Sequence, residues 1–510
     1  WLHLLKLGAS GKVGAIQIDE DDRFKIWLEL KKYLSRCEKY AEADWVPNAE
    51  NLKTVAEAEK KIISDDITFE ARYYFAAKDY ELIEGRDWEK SEKGLLKNRV
   101  NALEELCKDQ GLSEIFDLSK YCCNCSVLGI CCAQTSFADR IDNEMKKSLL
   151  EDDSSMLEVA CGYYSERYRR QGESLLQRPI NENWSTQSSL AFYSALPCNK
   201  EVWSAAEAKL KEESHLYWQK AACCRKVDTV EEAVYIFEQY CSVGRQSDAL
   251  LFAHYCIEDD VDVDPDILLK CLQGYSPDSR RGFETHFVPE ICDYIARKYP
   301  TIDLAWQEFR LFPLFQDGDE SYLLKLLSSN PEFFVAILSL AYKPHNRVED
   351  QTHEASKDAA TRAFEVLWRW KRVPGLQDDG EVDKEAFDRW IAMTLEKSRK
   401  ADRLEVAEIT IGSCLFHAPK DQTGLFINRT IADFLDTNAN ALRGFATESV
   451  NSLGAMTVDG TGKTQFSLAE EYESKAKELE GIGLLDFAAT VREISSGFVR
   501  EGKDEIEREW

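Results

Sequence analysis

Apolar residues in this chain recur every three or four positions in run after run, and almost no run alternates apolar with polar. That spacing puts each apolar set on one face of a helix and gives nothing from which to build a sheet. From Arg23 to Tyr40 the inward set is Phe24, Ile26, Trp27, Leu30, Tyr33 and Leu34. Thr54 to Ile63, Phe69 to Leu82 and Trp88 to Leu112 repeat the pattern, with Leu95, Val100, Leu103 and Leu106 inward in the last. Leu118 to Ala133, Ser136 to Leu150 and Met156 to Gln171 follow, the last stopped by Gly172. Only Gly11 to Ile18 and Thr457-Val458 read as extended.

The punctuation between runs is that of helical hairpins. The 12 prolines fall mainly between periodic segments. Gly244 separates Glu231 to Val243 from Ser247 to Ile257, a place for a left-handed cap. Asn330-Pro331 is an N-cap followed by a first-turn proline. Ala355 to Lys371 (Phe364, Leu367, Trp368), Lys384 to Ser398, Leu404 to Phe416, Phe466 to Glu480 and Leu484 to Glu501 continue the series. No strict period emerges. The expected fold is all-α, an irregular array of helical hairpins of TPR or HEAT type that the sequence allows to divide into two blocks. Residues 1–175 read as an N-terminal helical block. Residues 176–190, with the Asn-, Ser- and Thr-rich stretch from Gln177 to Ser189, read as a linker. Residues 191–437 read as an irregular repeat region and 438–510 as a closing hairpin.

Charge excludes one class of function. Lys and Arg total 64 against 92 Asp and Glu, a net charge of −28. Nucleic-acid binding needs basic stripes, so none is expected of this region. Such acidity reads first as a means of solubility and, alternatively, as a partly acidic face that repels DNA and steers basic partners. No apolar run approaches the roughly 20 residues that span a bilayer. The chain opens on Trp1-Leu2-His3 with no export signal. The expected setting is therefore the cytoplasm, with the 16 cysteines mostly reduced. With no initiator Met, the chain is expected to be a piece of a longer protein, and oligomerisation through domains outside it stays open.

The chemical motifs each fall short. Gly460-Thr461-Gly462-Lys463-Thr464 lacks the first glycine of a phosphate loop, because Thr457 stands there. Gly8-Ala9-Ser10-Gly11-Lys12 is followed by Val13 and not by a magnesium-binding hydroxyl. Asp260 to Asp264 begins like a calcium loop, but Pro265 and Cys271 replace its glycine and its bidentate glutamate. Cys122, Cys125, Cys131 and Cys132, with Cys123 among them, form the one cluster with zinc-like spacing; neighbours Val127, Leu128 and Ile130 point instead to a buried helix with thiols packed as small apolar groups. Tryptophans 203, 218, 368, 370 and 390 are read as packing anchors. No catalytic residue and no cofactor is expected. The alternative is an enzyme with an unrecognised site, or a small structural zinc site, centred on Cys122 to Cys132.

Toward its end the chain reads Leu442-Arg443-Gly444-Phe445, then Asn451-Ser452-Leu453-Gly454, then Leu468-Ala469-Glu470-Glu471-Tyr472 and Phe487-Ala488-Ala489-Thr490-Val491-Arg492. This resembles the C-terminal helical region of very large bacterial anti-phage defence proteins, linked there to STAND-type ATPase or effector domains. Val243-Gly244-Arg245, Pro331-Glu332-Phe333-Phe334 and the run from Ile18 to Trp27 are similar too. Leu453 departs from the family's arginine and Ala455 from its valine, so no role of that arginine carries over. The resemblance implies a sensor or scaffold whose partner is a phage or host protein, or upstream domains of the same polypeptide. Arg443, Gly444, Phe445, Asn451 and Gly454 are expected to shape the closing hairpin, the glycines permitting turns and Asn451 capping a reversal.

Overall fold

The computed structural model describes residues 20–62, 68–76, 88–109, 113–151, 154–276, 284–316, 321–345, 357–454 and 461–508. Those residues form all-α structure and contain no strand; the sole β contact among them is an isolated bridge between Leu376 and Val382. The chain divides into two compact units, Trp1–Arg245 and Gln246–Trp510.

The described helices of unit 1 are α1 (Glu20–Lys39), α2 (Ala49–Ile62), α3 (Thr68–Ala76), α4 (Trp88–Asp109), α5 (Ser113–Leu118), α6 (Cys125–Cys132) and α7 (Ala138–Ser148). They continue with α8 (Ser154–Gln171), α9 (Glu173–Leu176), α10 (Arg178–Asn181), α11 (Thr186–Ser194), α12 (Lys200–Leu210), α13 (Ser214–Lys220) and α14 (Val230–Ser242). Unit 2 holds α15 (Gln246–Glu258), α16 (Pro265–Gly274), α17 (Glu284–Lys298), α18 (Ile302–Leu311), α19 (Tyr322–Ser329), α20 (Pro331–Ala341) and α21 (Lys357–Arg369). It ends with α22 (Lys384–Lys400), α23 (Leu404–Leu415), α24 (Arg429–Asp436), α25 (Ala439–Asn451), α26 (Lys463–Gly481) and α27 (Leu485–Arg508).

Local chemistry sets many of these boundaries. Asn330 accepts from the backbone N–H of Glu332 and Phe333 and opens α20 on Pro331. Asp264 accepts from Asp266 N and opens α16 on Pro265, which is what the calcium-like acidic run amounts to. Gly172 and Gly244 take positive φ just beyond their helices, as their positions suggested. At the far ends of helices, arginines from elsewhere in the same unit supply the missing donors. Arg99 bonds Tyr74 O of α3, Arg245 bonds Trp218 O and Ala221 O at the end of α13, and Arg403 bonds Tyr342 O beyond α20. Arg310 bonds Leu272 O and Tyr275 O at the end of α16, and Arg369 bonds Phe315 O and Gln316 O. Each guanidinium satisfies orphan carbonyls where the helix dipole is negative.

The segment read as a linker is a folded part of unit 1. Residues 178–181 form α10, and α11 begins at Thr186 with Ser185 as its cap. Trp184 is buried, edge-on to Phe192 at 5.4 Å and under the Lys146 ammonium at 3.7 Å. Arg178 grips Asp142 through two bonds of 2.9 and 2.8 Å. Tertiary contacts thus order a stretch whose polar composition signals a loop. The unit boundary falls instead in the Gly244 turn. Leu118 to Ala133 is also not one helix: a 3-10 turn over Ser119–Tyr121 separates α5 from α6. Gly11 to Ile18, Thr457-Val458 and Gly8 to Lys12 lie outside the described residues.

One device is built twice. In unit 1, α6 crosses α8 so closely that a Cβ on Gly129 would sit 1.9 Å from Val159 O, and one on Gly162 would sit 2.1 Å from Ser126 O. In unit 2, α23 crosses α25 in the same register: a Cβ on Gly412 would lie 1.9 Å from Ala441 O, and one on Gly444 1.9 Å from Ile409 O. Each glycine faces the carbonyl three residues before its partner glycine. The correspondence extends along both helices. Cys131 and Cys414 are buried two residues after the first glycines; Tyr163 and Phe445 are buried one residue after the second. Gly172 and Gly454 close both second helices with φ of 60° and 62°. Gly444 is therefore a crossing point inside a helix and not a turn. Gly454 is the turn, and its N–H bonds the carbonyl of Asn451, the last residue of α25.

Backbone packed on backbone leaves no room to relax, so Gly444→Ala is expected to destabilise the chain by about 2 kcal/mol or more. Gly497, inside α27, meets nothing within 4 Å of a built Cβ. There Gly→Ala is expected to stabilise by about 0.5–1 kcal/mol through helix propensity alone. Urea unfolding of the two variants checks the contrast; equal effects would remove the crossing from the account.

Candidate functional site

Within the cysteine cluster the Cys122 and Cys125 side chains share a hydrogen bond. Cys131 and Cys132 are fully buried in α6, Cys125 is buried and Cys123 is exposed. The Cys122 thiol lies against Leu118 O at 3.2 Å and the Cys125 thiol against Ser119 O at 3.5 Å. Burial pushes the Cys122 and Cys132 thiols well above the ordinary range. Among the described residues no group of three His, Cys, Asp or Glu side chains has metal-binding geometry. Of the glycine turn at 460–464, Gly460 lies outside the described residues. Gly462 has φ 64° and rests on the last helix, where a Cβ would be 2.5 Å from Gly502 O. That glycine serves packing between α26 and α27.

A buried acid also proves structural. Glu308, in α18, is 1 % exposed and accepts from Ser321 Oγ (2.7 Å), Tyr322 N (3.2 Å) and Leu323 N (2.5 Å), capping α19 with its side chain. Burial, opposed by these three donors, pushes its carboxyl up to about 7. A raised carboxyl pKa means that the folded state holds the proton through a range where the unfolded chain has lost it. Stability from this group is thus full below pH 4.5, falls as pH rises toward about 7, and is level above. Glu308→Gln is expected to remove that slope, measured as unfolding free energy against pH relative to the parent chain.

The tryptophans separate into two kinds. Trp218, Trp370 and Trp390 are buried anchors, and Trp370 donates to Ser328 Oγ at 2.8 Å while packing 5.1 Å from Phe334. Trp368 is not an anchor. It is 57 % exposed, and its neighbour one turn back, Phe364, is 54 % exposed, although both belong to the apolar set of α21. Leu367, between them, is buried. The two exposed rings form one wall of a groove of about 200 Å³. Tyr342 and Trp370 extend that wall; α23 supplies Ile409, Thr410 and Ser413, with His417 just beyond it; α25 supplies Thr447, Glu448 and Asn451. The groove is thus built directly on the Gly412–Gly444 crossing, which sets the spacing between its α23 and α25 walls. A larger cleft of about 370 Å³ on another side of α20 and α22 carries Lys325, Arg372 and Arg389, but Arg372 is drawn onto Leu376 O and Asp378 and no acid–base pair faces it.

At the groove's polar end, His417 Nε2 and Glu448 Oε1 are 3.0 Å apart, both largely buried. Against a carboxylate, Nε2 is the donor. Burial holds the imidazole below the ordinary histidine range; the Glu448 bond opposes this and Lys371 adds to it. Ser413 Oγ donates to Ile409 O and Gly444 O, and no bond joins it to His417. Arg443, outside the groove, is exposed and pairs with Glu405 at 3.1 Å. Phe445 is buried between Phe416 and Phe487, 5.2 and 5.0 Å away. Of the five motif residues only Asn451 lines the groove.

Unit 1 holds the matching constellation. Gln134 stands where His417 stands, five residues after the first glycine, and donates to Glu166 Oε1 at 2.9 Å. Glu166 matches Glu448. It is further held by Arg169 (2.7 and 2.8 Å) and Arg170 (2.8 Å). Burial raises its carboxyl and the two guanidiniums more than offset this, so it lies below the usual range.

No protein-family profile matches this chain, and no curated protein does. Among solved structures, a circular tandem repeat protein with novel repeat topology and enhanced subunit contact surfaces aligns over 96 % of this chain and 98 % of its own, at 10 % identity and a TM-score of 0.20.

His417→Gln copies the arrangement of unit 1 and is expected to destabilise by no more than about 1 kcal/mol near neutral pH, since the Glu448 bond is kept and the edge contact with Phe416 is lost. Because the folded His417 binds its proton more weakly than the unfolded chain does, it costs stability as pH falls below the ordinary histidine value. The variant should lose that component. An acid slope identical in parent and variant would contradict the burial argument.

Proposed function

We propose that this chain is a protein-recognition region of a larger bacterial defence protein, acting by binding in the cytoplasm and not by chemistry of its own. The observation that carries the reading is the pair of exposed rings, Phe364 and Trp368, set beside each other over a groove with a polar end. Adjacent large aromatics left in water are uncommon, and such rings are the usual anchors of interfaces. Ser413, the groove's hydroxyl nearest in sequence to His417, is turned to backbone carbonyls, which favours recognition over nucleophilic attack. No single helix among the described residues is long and apolar enough to cross a membrane. The link to anti-phage defence rests on the sequence resemblance of the closing segment; its partner is then a phage or host protein, or an upstream domain of the same polypeptide.

The test places a photo-crosslinking amino acid at Phe364 in cells with and without phage. A discrete polypeptide adduct is expected, and binding of that purified partner should weaken tenfold or more with Trp368→Ala, the size of effect a central aromatic anchor produces. Adducts that persist unchanged in the Trp368→Ala background would defeat the proposal, as would a purified partner indifferent to the substitution.

A further inference from the structure

The two crossings differ in the cations they set around the buried glutamate. In unit 1 the buried glutamate, Glu166, takes one neutral donor from Gln134 and a two-pronged guanidinium bond from Arg169, with Arg170 beside it. In unit 2 Glu448 takes the equivalent of the first, from His417. The positions of Arg169 and Arg170 are filled by Asn451 and Ser452, which carry no charge. Asn451 lines the groove, and so does Glu448. Among the described residues the Glu448 carboxylate accepts no other side-chain bond. The same backbone scaffold therefore presents a carboxylate with its own arginines in one unit and without them in the other.

We propose that an arginine side chain from a partner polypeptide occupies the groove, its guanidinium bonding Glu448 as Arg169 bonds Glu166 and its stem lying along Trp368. The inference rests on the recognition reading above and names the chemistry of the partner. Three features favour arginine over other occupants. The internal precedent is a guanidinium bonding through Nε and Nη2, a planar fork that an ammonium does not reproduce. The exposed indole face of Trp368 suits a guanidinium by stacking and by cation–π attraction. The chain's net charge of −28 also draws cationic segments toward it.

The experiment pans random linear peptides against the purified chain and measures affinities of those recovered. Peptides whose binding needs Trp368 are expected to share an arginine. Changing that arginine to citrulline or lysine should weaken binding tenfold or more, and Glu448→Gln should do the same. Asn451→Arg, at an exposed position, restores the internal cation of unit 1. It should block the peptides without destabilising the fold, which keeps the test independent of any folding defect in Glu448→Gln. Peptides that need Trp368 but carry no arginine, or bind Glu448→Gln and Asn451→Arg normally, overturn this inference and leave the groove reading standing. Recovered peptides all indifferent to Trp368→Ala, or no peptides at all, overturn both. Dimerisation of the chain that is lost with Trp368→Ala would assign the groove to a second copy and also overturn the arginine.

Discussion

Each unit is organised by a place where two helices touch backbone to backbone. At ordinary helix crossings, side chains keep the axes 8–10 Å apart and can slide or repack. At Gly129–Gly162 and Gly412–Gly444 there is no side chain to slide, and each glycine is pinned opposite one carbonyl of the other helix. Register is then fixed to the residue. Everything that follows along the two helices inherits that register: the buried cysteine two residues on, the buried aromatic one residue on, and the glutamate four residues on that meets Gln134 or His417. A helix pair held only by apolar side chains would tolerate a shift of one turn, and the glutamate would lose its partner.

The buried glutamate is where the two crossings differ. A carboxylate taken out of water must be repaid with hydrogen bonds or opposite charge. Unit 1 does this within one helix, since Arg169 and Arg170 lie one turn after Glu166 and reach back to it. Unit 2 retains the acid, 8 % exposed, without that pair, and sets it beside exposed Trp368. Keeping the acid while dropping its cations is unfavourable for a purely structural element. A neutral residue in place of Glu448 would relieve the burden, and the position in unit 1 shows what a self-sufficient version looks like.

Helices were legible in the sequence because burial repeats every three to four residues, and capping signals such as Asn330-Pro331, Gly172 and Gly244 marked their ends. The segment at 176–190 was not, because its order comes from Trp184 and Arg178 reaching partners on other helices. The repeated crossing was hidden for a different reason. Only a few positions recur, Gly-Xaa-Cys in the first helix and Gly, an aromatic, Glu and Gly in the second, and the connection between them is one residue shorter in unit 2. A search for periodic apolar residues does not weigh glycines inside helices, and reads Gly444 as a turn. The groove was illegible for a related reason: helical spacing puts Phe364, Leu367 and Trp368 in one apolar set, but it does not say where on the resulting face the neighbouring helices stop.

The acidity of the chain acquires a specific meaning from this architecture. With 64 basic residues against 92 acidic ones, cations are the scarcer group, and many arginines are spent inside the array. Arg99, Arg245, Arg310, Arg369 and Arg403 each close a helix end by bonding its last carbonyls. Arg178 is held by Asp142, and Arg169 and Arg170 by Glu166. Guanidinium groups are thus the mortar of this fold, chosen where a planar fork of donors has to satisfy several oxygens at once. An acidic surface cannot easily supply one more such group to an oxygen cluster left open, because every added internal arginine must be positioned by the helix that bears it. At Glu448 the helix offers Asn451 instead, and on the proposed reading the place of Arg169 falls to a guanidinium from a partner polypeptide.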